Sequence, residues 1–136
     1  MDKLPIQQAL VYLMVTMSAA DSSIDDEELA RITTAVRTMP IFEGYDEAGL
    51  PLEAAKCAEI LSSDEGLDII FGLVKSSVPE KFYDTAYAVA VEIAAADLDL
   101  AQEELRLLQR LRHALGLSNL VTAAIEASAR ARFRTT

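Results

Sequence analysis

The chain has 136 residues, room for one domain and too few for two, and 51% of them are hydrophobic, so a sizeable core can be buried. Five glycines, four prolines, no Trp and no long alternation of Val, Thr and Tyr argue against a β-sandwich or barrel and for an all-α domain. A net charge of −10 disfavours non-specific contact with nucleic acid or anionic membrane, and a single Cys excludes an internal disulfide and fits a reducing compartment.

The first predicted helix runs from about Pro5 to Ala20, with Pro5 suited to a first turn. Ile6, Leu10, Leu13, Met14 and Met17 recur at helical spacing, and Val11 and Val15 fill the other flank. A helix apolar nearly all round belongs at the centre of a fold. Thr16 and Ser18 interrupt the stretch, which is shorter than the roughly 20 residues that span a bilayer. With no basic leader and small-residue cleavage site, the expectation is a cytoplasmic protein without membrane insertion.

The second helix has a strong start. Asp25 can cap it, Glu28 can reach back to the cap, and Ile24 and Leu29 can staple the entry. Leu29, Ile32 and Val36 mark its inner stripe, and Pro40 stops it. Residues 40–50 read as irregular, anchored by Phe42 and Tyr45. A third helix is expected from Pro51 to Leu61. A fourth, capped by Ser63 or Asp64, carries Leu67, Ile70, Phe71 and Val74, and Ser77 and Pro79 open a fifth that ends near Ala96. The sixth spans about 101–115 with Leu105, Leu108, Leu111 and Leu115 inward, and Gly116 is a left-handed cap after it. The seventh spans about Ser118 to Phe133, with Val121, Ala124 and Ile125 inward and Ser128 weakening the stripe.

The charge is uneven. Residues 1–100 carry net −13, and residues 101–136 carry net +3 from Arg106, Arg110, Arg112, Arg130, Arg132 and Arg134. These arginines form either a solvated face or a docking surface for an acidic protein partner, including another copy of the chain in a homo-oligomer.

The most informative feature is an internal repeat. Ala20-Asp21 to Glu28-Leu29 lines up with Ala96-Asp97 to Glu104-Leu105 at a constant offset of 76. Each copy lies between an apolar helix and an amphipathic one. The Asp follows one helix and the Glu sits in the first turn of the next, so a compact turn draws the two carboxylates together. A hard divalent cation would offset their repulsion, whereas helix capping and Asx-turn chemistry need none. The spacing is not that of an EF-hand: Asp26 and Gln102 stand where its glycine would be.

These paired segments resemble those of the TerB-like family associated with tellurite resistance, over roughly the first helix to the seventh. The resemblance implies a single all-α domain over residues 1–136, of about seven helices with two pseudo-symmetric hairpins. It also implies a divalent-metal site, for Ca²⁺ or Mg²⁺, at Asp21, Glu28, Asp97 and Glu104, with these four carboxylates on one side of the domain. Ser22 and Leu98 stand where the family usually has glycine, and Leu is unfavourable at positive φ, so the turn is expected to take a different shape.

Cys57 reads as a core residue and His113 as a surface one. Glu92 reads as a rim residue or a further carboxylate near the acidic turns. No Ser-His-Asp set, phosphate-binding loop or zinc spacing is present. The expected function is therefore a non-enzymatic stress-response interaction module. A metal-assisted hydrolase using the same carboxylates, and a purely structural adaptor, stand as alternatives.

Overall fold

A computed structural model describes residues 3–18, 24–95 and 102–136. They form seven α-helices and no strand: α1 (Ile6–Ser18), α2 (Asp26–Thr38), α3 (Leu50–Leu61), α4 (Gly66–Ser77), α5 (Tyr83–Ala95), α6 (Gln102–Leu115) and α7 (Asn119–Phe133). Short 3₁₀ turns at Pro40–Phe42, Glu47–Gly49 and Glu80–Phe82 bridge them.

α1 is the axis, as its two apolar flanks require. Every residue from Ala9 to Ser18 is buried. α1 packs on α2, α3, α4 and α5, and α5 packs on α1, α2, α6 and α7. The hydroxyl of Thr16 donates to the Tyr12 carbonyl at 2.8 Å, so this polar group is satisfied inside its own helix. The pairs α1–α2 and α5–α6, which flank the two repeated turns, thus belong to one packed unit.

The capping box of α2 is present in full. Asp25 Oδ1 accepts from the Glu28 amide at 2.8 Å, and Glu28 Oε1 accepts from the Asp25 amide at 3.1 Å. Phe42 is buried and meets Tyr45 edge to face, with ring centroids 6.1 Å apart, which anchors the chain between α2 and α3. Gly116 has φ +66, and the Gly116 and Leu117 amides donate to His113 and Arg112 carbonyls, closing α6 with the expected left-handed cap.

Four sequence expectations are corrected. The residue before α4 is Glu65, with no side-chain cap. The Ser63 hydroxyl donates back to the Ile60 carbonyl and so closes α3. Gly66 explains the tight joint: a Cβ there would lie 2.3 Å from the Ile60 carbonyl oxygen. Ser77 ends α4 rather than opening α5, and its Oγ accepts the Leu4 amide at 2.9 Å. In α6, Leu105 is 40% exposed and Leu107 takes its place against the core. In α7, Ala124 is exposed and the inner face is Thr122, Ile125, Glu126, Ala129 and Phe133. In both helices the packing partner chose a face rotated from the most apolar reading.

Asp25→Ala should destabilise the chain by about 0.5–2 kcal/mol through loss of the cap. Asp26→Ala should do much less, since Asp26 is exposed and makes no cap contact. Urea unfolding of the two variants distinguishes them, and equal losses would remove the cap from Asp25.

Candidate functional site

The two acidic turns are described in part. Glu28, half-buried at the start of α2, has Oε1 closed onto the cap. Oε2 has no partner among the described residues. Glu104 is half-buried in the first turn of α6. Asp21 and Asp97 lie outside the described residues, so their approach to Glu28 and Glu104 does too. Among the described residues no group of three His, Cys, Asp or Glu side chains is arranged to hold a metal ion. A cation here would therefore need Asp21 and Asp97. Glu92 pairs with Arg132 at 3.0 Å and lines the open cleft between α2 and α5, which makes it a rim residue.

A second concave feature lies between α5, α6 and α7. It is a groove of about 210 Å³ with Val91, Ala94, Leu105 and Leu108 on its walls and Arg112, Glu126 and Arg130 among its polar lining. Tyr87, 1% exposed, donates its hydroxyl to Glu126 Oε2 at 2.5 Å. That bond explains why a carboxylate occupies the inner face of α7. Burial, then the adjoining Glu126 carboxylate, pushes the Tyr87 hydroxyl well above the ordinary tyrosine value. Sequence reading passed over this pair. The signal was present in the i, i+3, i+4, i+7 spacing of Thr122, Ile125, Glu126 and Ala129, but a charged residue on that stripe reads as solvent-facing until its partner on α5 is known.

The remaining arginines of α6 and α7 are partly accounted for. Arg110 pairs with Asp68 at 2.6 Å and lies over the Phe71 ring, and Arg132 lies over Phe133 while pairing with Glu92. Arg112 and Arg130 have no ion pair among the described residues. Cys57 is fully buried, its thiol set against Thr16 Oγ1 and the Tyr12 carbonyl. Burial pushes it up to about 11, which makes it an inert core residue as expected. His113 is exposed on α6. No helix among the described residues is long and apolar enough to cross a membrane.

Compared with known proteins, residues 7–127 match the family model described as Tellurite resistance protein TerB. No curated protein and no solved structure gives a significant match.

The Tyr87–Glu126 pair has a consequence at alkaline pH. The unfolded chain releases the Tyr87 proton near pH 10, whereas the folded chain keeps it. The stability from this group is therefore full below about pH 10 and declines as pH rises toward the raised folded value. Urea unfolding of Tyr87→Phe should show a shallower alkaline decline than the parent. The remaining decline comes from Cys57, Tyr12 and Tyr45, which burial also raises. Superimposable pH profiles would contradict this.

Proposed function

The chain belongs to the tellurite resistance protein TerB family, and on that premise we propose that it is a non-enzymatic stress-response interaction module. In this reading it acts in the cytoplasm, docks on a protein partner and holds Ca²⁺ or Mg²⁺ at its acidic turns. The observation that carries the reading is the repeat: the same Asp-to-Glu spacing occurs twice, 76 residues apart, before α2 and before α6. Carboxylate oxygens suit a hard divalent cation, and the donors proposed are Asp21, Glu28, Asp97 and Glu104. Glu28 can serve as cap and ligand together, because the cap uses only Oε1. The basic segment 101–136, at net +3 beside a net −13 remainder, supports docking to an acidic protein, a second copy included.

One observation favours a second reading. Glu28 is already closed onto Asp25, as a structural turn with no cation would have it. In that reading the chain is an adaptor whose acidic turns only start helices.

Calorimetric titration with Ca²⁺, Mg²⁺ and Mn²⁺ separates the two. Saturable binding in the micromolar to millimolar range, lost in the Asp21→Asn/Asp97→Asn double variant, supports the cation site. A rise in melting temperature should accompany it, since a ligand held only by the native state stabilises that state. Absence of both heat and thermal shift at about 10 mM cation leaves the adaptor.

A further inference from the structure

We propose that the groove between α5, α6 and α7 binds a small organic monoanion with a flat apolar body, its carboxylate held by Arg112 and Arg130. This proposal does not depend on the cation reading.

Size comes first. A dry apolar cavity of about 150 Å³ accommodates benzene. The groove offers about 210 Å³, enough for one ring and a carboxylate but not for a drug-sized ligand or a folded peptide segment. Its apolar walls come from two helices: Val91 and Ala94 on α5, Leu105 and Leu108 on α6. Leu105 is 40% exposed there, so a ring against it would remove apolar surface from water.

Charge selects the head group. Arg112 is half-buried, Arg130 is exposed, and both line the groove without an ion-pair partner among the described residues. Their neighbours Arg110 and Arg132 are already matched by Asp68 and Glu92. Among the described residues one carboxylate lines the groove, Glu126, and its Oε2 is taken by the Tyr87 hydroxyl. Two cations against one anion leave the described lining of the groove at net +1 in a chain of net −10. A single negative charge on the ligand balances that. Guanidinium groups present a planar fork that fits a carboxylate in two parallel hydrogen bonds. A cationic ligand seeking Glu126 would instead meet two arginines and a net positive lining.

The test uses the full chain, labelled with ¹⁵N, and benzoate as the probe, with benzamidine as the cation of matching shape. Benzoate should shift amides of α5, α6 and α7 around Val91, Leu108 and Glu126 saturably, with a dissociation constant on the order of 1 mM. Benzamidine should leave them in place. Arg112→Gln and Arg130→Gln should each weaken benzoate about tenfold while keeping the parent melting temperature, since neither arginine holds an ion pair among the described residues. Leu105→Ser, at an exposed position, should also weaken it. Tighter binding of benzamidine than of benzoate overturns the proposal, and so do benzoate shifts scattered over the other arginines or unaltered by both glutamine variants.

Discussion

Burial of α1 is the constraint on which the rest of this fold depends. Ten consecutive residues, Ala9 to Ser18, have no solvent-facing side. A helix of that kind cannot lie on a surface, so α2, α3, α4 and α5 must surround it, and α5 in turn carries α6 and α7. Each large side chain here contributes roughly 1.5–3 kcal/mol by leaving water. The same closure explains two buried polar groups: Thr16 bonds within its own helix, and the Cys57 thiol points at α1 with the Tyr12 carbonyl as acceptor.

What the sequence disclosed depended on the range of the interaction. The capping box at Asp25 and Glu28 was legible because both partners lie within one turn. The stop at Pro40 and the left-handed Gly116 were legible for the same reason. The central place of α1 followed from composition alone. The inner faces of α6 and α7 were not legible, because Leu107 displaces Leu105, and Glu126 faces inward, only through residues on other helices. Of the four acidic-site residues, Glu28 and Glu104 are found in first helical turns as the repeat indicated, while Asp21 and Asp97 fall outside the described residues.

The charge asymmetry acquires a physical meaning from the fold. Four of the six arginines on the last segment divide by task. Arg110 and Arg132 tie α6 to α4 and α7 to α5 through Asp68 and Glu92, pairs whose exposure keeps them modest in strength. Arg112 and Arg130 have no ion pair among the described residues, yet they stand beside apolar walls. Among the described residues an acidic protein thus carries a small groove whose lining has the opposite sign.

The two glycines of α4 have opposite roles. Gly66 lets the first turn of α4 lie on the backbone of Ile60 and Leu61, with no room for a methyl group. Gly72, six residues on, has open space where a side chain would be and sits in the helix interior. There it lowers helix propensity by about 0.5–1 kcal/mol relative to alanine without serving any contact. One position is thus closed to evolutionary drift and the other open to it, so among related sequences the α3–α4 corner should hold its shape while the middle of α4 varies in composition.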